Sequence, residues 1–408
     1  MRRLTSAALV LGGLAVLSVL PMGPTKEALP VALDPQAGIT TWSAAPQPPQ
    51  EAQPESLGFT DVTVRTVIRV SAGGDAISLR LDNTYGLTPL DVEAVTLARP
   101  LNDGPAIALG GRVRLRDDGQ TALRIPAGES VYTDPVPFAV RDGSRLVVSY
   151  HLPGPTGPVT LHSMTGEPTW LATGEHSMDA GGAMFERHRS RPVVGAAVIY
   201  GGTARGTVVV LGSSTADGVG SDMAASRRWP DLLSDRLAKV SGPRTLAVAN
   251  ASISGNQIIT STTYGGSSQL DRLDRDVLSL AGARTVILNS GGNDLRNGAD
   301  TPTVLAALED MADQSRARGL FVVVTTVTPF GAHRSFSPEV ETARIALNAA
   351  LHRSTHFDLV VDLDTVVRDP ERPERLRSDL DVGDGSHPNQ RGAELMADAV
   401  PIAELPTN

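Results

Sequence analysis

The chain has 408 residues, of which 41% are hydrophobic and 4% aromatic, and its formal net charge is −9. This length suits two or three domains with sizeable cores. The acidic balance and the lack of a basic stripe argue against a general nucleic-acid binder, because phosphate contacts need clustered Lys and Arg. The sequence contains no cysteine, which excludes disulfides, thiolate zinc sites and cysteine nucleophiles.

The N-terminus has the pattern of an export signal. Two arginines precede an uncharged apolar segment at residues 6–20, which is too short for a membrane span. We therefore predict a signal peptide over residues 1–26 and an extracellular protein, with an uncleaved membrane anchor as the alternative. Residues 27–57 contain a run rich in Pro and Gln without apolar periodicity, which predicts a linker.

The region 58–200 consists of short alternating apolar and polar stretches separated by turn residues. The predicted strands are 62–70, 77–81, 92–97, 113–115, 123–125, 146–150 and 159–162. This spacing, with no convincing helix between the strands, predicts an antiparallel β-sandwich of jelly-roll type. Such a domain could bind carbohydrate or could be a cap that shapes a neighbouring site. The lack of an aromatic cluster favours the cap.

From residue 201 to residue 408, strands alternate with helices. The predicted strands are 207–211, 245–249, 285–289, 320–326 and 359–362. The predicted helices are 229–240, 269–280, 304–318, 338–352 and 390–400. Repeated strand–helix–strand units imply right-handed crossovers and a parallel sheet with helices on both faces. We therefore predict a second domain of the α/β class with a five-stranded parallel sheet.

Four blocks of small and polar residues lie in this second domain. Three of them follow strands and one precedes the last helix; they are 212–214, 250–256, 290–294 and 383–389. In open α/β sheets the carboxyl ends of the strands bind ligands. A serine needs a base to become a nucleophile, and the base needs an orienting acceptor. Acyl transfer also needs donors aimed at the developing oxyanion. The blocks contain residue types for all of these tasks.

In their order and spacing, these blocks resemble those of the SGNH (GDSL-like) hydrolase superfamily. The segments 228–231, 274–278 and 387–389 strengthen the resemblance, which covers the chain from about residue 205 to the end. The β-rich region resembles the N-terminal domain of a secreted actinobacterial branch of this family. The resemblance implies a flavodoxin-like three-layer α/β/α sandwich for the second domain.

The resemblance also implies a role for particular residues. Ser214 would be the nucleophile, His387 the base and Asp384 the residue that orients it. The oxyanion donors would be the backbone N–H groups of Ser214 and Gly255 and the side-chain amide of Asn293. This chemistry requires no metal and no cofactor. The implied substrates are small-molecule or polysaccharide esters with short acyl groups such as acetyl, with no nucleic acid and no stable membrane partner.

The first block departs from the family pattern at one position. The usual Gly-Asp-Ser reads Gly212-Ser213-Ser214 here, so the motif aspartate is missing and two serines are adjacent. The register from Gly212 and from the downstream Asp217 assigns Ser214 as the nucleophile. Asp217 itself is predicted to be structural or to line the substrate entrance. In the second block, Ser252 stands where a further glycine is common.

Each of these residues also has an ordinary structural explanation. A Gly-Ser-Ser turn alone is usually a helix cap, and an Asn-Asp pair alone is more often a turn. His333, His352 and His356 are rival bases, but none has an acid at a similarly close spacing. His352 and His356 lie one helical turn apart, which could suggest a metal site. A solvated helix end is favoured, because Asp358 alone fits as a nearby carboxylate.

Two other functions remain open at this stage. The change at Ser213 could have abolished activity and left a secreted carbohydrate-binding or adhesion protein. The same three residues could also serve an acyltransferase, and hydrolysis is preferred through the family resemblance alone.

Overall fold

The computed structural model describes residues 38–51, 53–164, 166–239 and 245–407. The predicted signal peptide and the first part of the predicted linker lie outside these residues, as does the last residue of the helix predicted over 229–240. Among the residues described, no helix has both the length and the apolar character needed to cross a membrane.

The N-terminal region is built from antiparallel strands. In chain order they are β1 (Ile39–Ser43), β2 (Val62–Arg69), β3 (Gly74–Asp82), β4 (Leu90–Ala98), β5 (Val113–Arg114), β6 (Ala122–Ile125), β7 (Ser130–Tyr132), β8 (Val136–Val140), β9 (Arg145–Leu152), β10 (Leu161–His162), β11 (Thr169–Thr173), β12 (Glu186–His188), β13 (Arg191–Pro192) and β14 (Val194–Tyr200). One sheet has the order β1-β14-β3-β7, with β8 also pairing with β3. The second has the order β12-β11-β2-β9-β4-β5, with β6 also pairing with β4, and β10 pairs with β13.

The two larger sheets share one hydrophobic core. Residues that alternate along a strand, such as Ile77, Leu79 and Leu81 of β3, are fully buried in it. From the second sheet, Ile68 and Val148 belong to the same cluster. Alternating residues of a strand point to the same face, so this packing is what the alternating sequence pattern predicted. The predicted antiparallel β-sandwich is confirmed.

The prediction of a linker is wrong for the part of residues 27–57 that is described. Strand β1 pairs antiparallel with β14, and Trp42 is only 4% exposed. The Arg191 guanidinium lies 4.9 Å from the centre of the Trp42 ring. Composition misled here because β1 is only five residues long and its partner strand lies about 150 positions further along the chain. Such non-local pairing leaves little local signal.

The second region alternates strands and helices. In chain order its elements are β15 (Thr207–Gly212), α1 (Ser214–Asp217), α2 (Trp229–Leu237), β16 (Ala247–Asn250), α3 (Gln269–Leu273), β17 (Ala283–Asn289), α4 (Gly292–Arg296), α5 (Thr301–Ala317), β18 (Phe321–Thr325), α6 (Pro338–Leu351), β19 (Leu359–Val361), α7 (Leu363–Val367) and α8 (Gln390–Ala399). A π-helical turn, Asp274–Leu278, continues α3. The sheet order is β16-β15-β17-β18-β19, and all pairs are parallel. This is the flavodoxin-like order, and it confirms the predicted fold.

The central strand β15 shows how the three layers arise. Val208 and Val210 pack in a cluster with residues of α2 and α8, whereas Val209 and Leu211 pack with residues of α3, α5 and α6. Both faces of the strand are therefore buried, which is why its sequence is a continuous apolar run. The chain leaves β15 toward one face and leaves β17 toward the other, so a crevice opens between the carboxyl ends of these two strands.

A buried ion cluster joins the two regions. Glu167, from the β-sandwich, lies 3.2 Å from Arg191 and 3.4 Å from Arg228, which precedes α2. Burial alone would raise the pKa of Glu167. The charges of Arg228 and Arg191 outweigh burial, and together with hydrogen bonds they lower this pKa from 4.5 to about 2. The ionised carboxylate therefore stabilises the folded state above about pH 4.5, and this contribution is lost as the pH falls toward 2.

We expect a Glu167→Gln variant to be destabilised by about 3–5 kcal/mol at pH 7, because two buried guanidinium groups lose their carboxylate. Thermal unfolding followed by circular dichroism at pH 7, 5 and 3 would measure this. The melting temperature of the variant should fall less between pH 5 and pH 3 than that of the wild type. Glu129→Gln, at an exposed position, is the control and should behave like the wild type. If the melting temperatures of the wild type and Glu167→Gln fell equally between pH 5 and pH 3, the ionised Glu167 carboxylate would not be the source of this stabilisation.

Candidate active site

The candidate site lies at the carboxyl ends of β15 and β17. Strand β15 ends at Gly212, where an added Cβ would lie only 2.9 Å from the carbonyl oxygen of Asn289 at the end of β17. A glycine therefore allows the turn after β15 to lie close against the neighbouring strand. The turn delivers Ser214 as the first residue of α1, with 7% of its surface exposed.

Ser214, His387 and Asp384 form a continuous hydrogen-bonded chain. His387 Nε2 lies 2.8 Å from Ser214 Oγ, and His387 Nδ1 lies 2.6 Å from Asp384 Oδ2. The carboxylate accepts a hydrogen bond from Nδ1–H, which leaves Nε2 as the acceptor facing the serine hydroxyl. In this arrangement the imidazole can take up the Ser214 proton.

The loop before α8 holds Asp384 in place. Its Oδ1 accepts hydrogen bonds from the backbone N–H groups of Ser386 and His387, both at 2.9 Å. Partial burial would raise the pKa of Asp384, but the hydrogen bonds from the side chain and backbone of His387 and from Ser386 lower it below its ordinary value. Asp384 is thus ionised at neutral pH and can orient the imidazole.

Gly255 lies in the loop after β16 and lines the same cleft as Ser214 and His387. Its φ is +78°, and an added Cβ would lie 2.4 Å from the Tyr264 ring, so this position requires glycine. The preceding residue is fixed by Asp217, whose Oδ2 accepts the Ser254 N–H at 2.7 Å. The backbone around Gly255 is therefore held in one conformation beside the serine.

Asn293 belongs to the first turn of α4 and also lines this cleft. Its Nδ2 donates to the carbonyl oxygen of Asn256 at 2.8 Å, and its Oδ1 accepts from Arg296 at 2.5 Å. An amide nitrogen carries two hydrogens, so one remains for a further acceptor. The structure thus brings Ser214, Gly255, Asn293 and His387, which the sequence scatters over 174 positions, to one cleft.

Arg296 is a residue of this site that sequence reasoning missed. It donates to Asn293 Oδ1 and, at 2.9 Å, to Ser386 Oγ, and its guanidinium carbon lies 5.2 Å from the centre of the Phe330 ring. Burial lowers the pKa of Arg296, an effect that the nearby Asp384 partly opposes. Its position three residues after Asn293 was the available signal, because side chains at this spacing are neighbours on a helix.

Asp217 is structural, and the alternative that it lines the substrate entrance is wrong, because it is only 1% exposed. Its Oδ1 lies 3.1 Å from Nε2 of His162 in β10, and His162 Nδ1 lies 2.9 Å from the carbonyl oxygen of Ala45. A hydrogen-bonded path therefore runs from the β-sandwich through His162 and Asp217 to Ser254. Sequence reasoning missed His162, because its partner is 55 positions away and no motif surrounds it.

The rival histidines are placed differently. His333 lines the cleft but hydrogen bonds within its own loop, and its pKa is lowered first by burial. The side chains of His352 and His356 are 48% and 39% exposed. They face different carboxylates, Asp362 at 3.8 Å and Asp313 at 2.8 Å, which fits a solvated helix end.

Two cavities adjoin Ser214. The first is a recess of about 40 Å³ whose lining includes Asn289, Arg296, Val327 and Phe330. The second is an open cleft of about 490 Å³, lined by Ser214, Ser254, Gly255, Gln257, Thr262, Tyr264, Asn293, Arg296, Asn297, His333, Arg334, Ser335 and His387. The hydroxyl of Ser214 therefore lies between a small recess and a larger open cleft.

Comparison with solved structures gives similarity over about half of this chain. A GDSL-like lipase from Bacteroides thetaiotaomicron is 21% identical, with 49% of this chain and 87% of that chain covered and a TM-score of 0.37. The psychrotrophic esterase EstA from Pseudoalteromonas sp. is 20% identical, with 47% and 93% covered and a TM-score of 0.36. The protein TesA is 24% identical, with 48% and 98% covered and a TM-score of 0.38.

Comparison of the sequence with protein families gives a match over part of the chain, whereas comparison with curated proteins found no match. Residues 210–395 match the GDSL-like Lipase/Acylhydrolase family. The matched span begins inside β15 and ends inside α8, so it contains all four polar blocks and each residue of the candidate site on the α/β domain. The chain therefore carries a domain of the GDSL-like lipase/acylhydrolase family.

Proposed function

We propose that this protein is a secreted serine esterase that hydrolyses carboxylic esters with short acyl groups. The observation that carries the proposal is the 2.8 Å contact between His387 Nε2 and Ser214 Oγ, with Asp384 on the other ring nitrogen. The predicted export signal supports secretion. The family match supports hydrolysis of esters as the reaction class.

In the first step, His387 Nε2 takes the Ser214 proton while Oγ attacks the ester carbonyl carbon. The carbonyl π electrons move onto oxygen, and the tetrahedral oxyanion accepts hydrogen bonds from the Ser214 and Gly255 N–H groups and the Asn293 amide. When the oxyanion collapses, the bond to the alcohol oxygen breaks. The protonated His387 gives its proton to that oxygen, and the alcohol leaves.

In the second step, water occupies the place of the alcohol. His387 Nε2 takes a proton from water as the water oxygen attacks the acyl carbonyl carbon. The same donors stabilise the second oxyanion. Its collapse breaks the bond to Ser214 Oγ, which takes the proton back from His387. The carboxylic acid leaves and the enzyme returns to its starting state, without a metal or cofactor in either step.

The sizes of the two cavities support a short acyl group. A water molecule needs about 10–15 Å³ of such space, so the 40 Å³ recess has room for about three atoms. An acetyl group fits this limit and an octanoyl chain does not. The open cleft of about 490 Å³ is lined by polar side chains and suits the alcohol part, such as a sugar unit of an acetylated polysaccharide.

A series of nitrophenyl esters from acetate to octanoate, assayed beside acetylated xylan, tests this proposal. We expect kcat/KM to be highest for acetate and to fall by at least about tenfold by octanoate, since a clash in the recess of roughly 1.4 kcal/mol is sufficient. A preference for octanoate would overturn the short-acyl assignment. Absence of both hydrolysis and labelling of Ser214 by a fluorophosphonate would favour a binding protein. Transfer to an added alcohol that outpaces hydrolysis would favour an acyltransferase.

The role of Asp384 can be tested separately. An Asp384→Ala variant should lose about two to four orders of magnitude in kcat, because the imidazole loses the acceptor that fixes its tautomer. Steady-state hydrolysis of nitrophenyl acetate measures the effect. Asp379→Ala is the matched control, since Asp379 lies five positions earlier, is exposed and pairs with Arg377. An Asp384→Ala variant as fast as the wild type would mean that another group orients His387.

A further inference from the structure

The cleft beside Ser214 has a cationic lining in a chain whose formal net charge is −9. Its lining residues include the cations Arg296 and Arg334, and none of its described lining residues is a carboxylate. The acid nearest to the chemistry, Asp384, is engaged with His387 and is not part of the lining. The walls of the cleft therefore favour a negatively charged ligand.

Neither lining arginine forms an ion pair with a carboxylate within the described residues, in contrast to two buried arginines of this domain. Arg344 and Arg272 are buried against the carboxylates of Asp364 and Asp276, at 2.8 Å and 3.0 Å. Arg296 is half-buried, and its hydrogen-bond partners are a neutral amide and a hydroxyl. Arg334 is exposed and forms no ion pair within the described part of the chain. Arg296 is therefore a partly desolvated guanidinium without a paired carboxylate, the kind of group that gains most from an anionic ligand, and Arg334 adds an accessible positive charge beside it.

We infer that the preferred substrates are esters whose alcohol part carries a carboxylate, such as an acidic sugar unit. This inference rests on the proposed esterase function. The alcohol side is assigned because the acyl group fits the recess, which leaves the cleft of about 490 Å³ for the larger part of the substrate. Planar guanidinium groups bind carboxylates through paired N–H donors, which suits Arg334 and the exposed edge of Arg296.

A matched pair of esters tests the inference. The acetate esters 3-acetoxybenzoate and 3-acetoxybenzamide have the same shape, and the first is charged at pH 7. The measured quantity is the ratio of kcat/KM for the charged ester to that for the neutral one, so that effects of a variant on the chemical step cancel. We expect this ratio to fall about threefold in Arg334→Gln and about tenfold in Arg334→Glu, in line with the modest worth of exposed charge pairs.

Arg353→Glu is the control for net charge. Arg353 is exposed just after α6 and lines neither of the two cavities beside Ser214, so its replacement should leave the ratio unchanged. The ratio for the wild type should also fall as salt rises, because the Debye length shortens from about 10 Å at 0.1 M to about 3 Å at 1 M. The inference is overturned if Arg334→Glu leaves the ratio unchanged or if Arg353→Glu lowers it equally.

A binding measurement separates this inference from the proposed function. Binding of 3-hydroxybenzoate to the Ser214→Ala protein, followed by saturation-transfer NMR, requires no catalysis. We expect weaker binding when Arg334→Glu is added and unchanged binding when Arg353→Glu is added. If the wild type hydrolyses neither ester but binding follows this pattern, the esterase proposal is wrong and the proposed binding site for an anionic ligand is supported. If Arg334→Glu leaves binding unchanged, the proposed binding site is wrong, whether or not the protein hydrolyses the esters.

Discussion

A Ser214→Ala variant is expected to lose about four to six orders of magnitude in kcat toward nitrophenyl acetate, since removing a serine nucleophile from such a chain of residues has effects of this size. No other described hydroxyl is hydrogen bonded to His387 Nε2. The residual rate would come from substrate binding and the oxyanion donors alone. Steady-state kinetics measures the loss, and mass spectrometry after fluorophosphonate treatment shows whether the protein still becomes labelled.

The adjacent serine provides a closely matched control for this experiment. Ser213 is the N-cap residue of α1, and its side chain makes no capping hydrogen bond. A Ser213→Ala variant should therefore fold normally, retain most of its activity and still be labelled at Ser214. The reverse pattern, with Ser213→Ala inactive and Ser214→Ala active, would show that the register within this pair of serines is wrong.

An Asn293→Ala variant should lower kcat by about two to three orders of magnitude, because one oxyanion donor contributes roughly 3 kcal/mol to the transition state. KM should change much less, since the negative charge develops only as the reaction proceeds. Measuring kcat and KM for the same short-chain ester separates the two effects. Asn297→Ala, one helical turn away, removes an exposed amide that bonds to the backbone and should lower kcat less than tenfold. A change confined to KM in Asn293→Ala would assign Asn293 to ground-state binding instead.

The features that could be predicted from the sequence are those with a strong local signal. The continuous apolar run of β15 and the repeated strand–helix units gave the parallel sheet, because both faces of such strands are buried. The last helix was predicted over 390–400 and is Gln390–Ala399. The polar blocks carried the family resemblance, and that resemblance implied roles for Ser214 and His387 at turns beside strand ends. The 2.8 Å contact between them is a property of the folded chain.

The features that were missed depend on partners far along the chain. Strand β1 acquires its structure from β14, and His162 is placed by Asp217, which belongs to the other region. The segment of β1 has no periodicity that differs from that of a loop, and the predicted strand over 159–162 gave no sign of a partner for His162. Arg296 was overlooked for another reason. A lone arginine on a short helix is usually a solvated side chain, and only its contacts with Asn293 and Ser386 distinguish it.

The hydrogen-bonded path from His162 through Asp217 to Ser254 connects the β-sandwich to the backbone next to Gly255. Both ring nitrogens of His162 lie within hydrogen-bond distance of an oxygen atom, Nδ1 of the Ala45 carbonyl and Nε2 of the Asp217 carboxylate. If the α/β domain were expressed without the β-sandwich, Asp217 Oδ1 would lose its hydrogen-bond partner, His162 Nε2. A chimeric protein made by domain exchange would therefore need β10 and the α/β domain from the same parent.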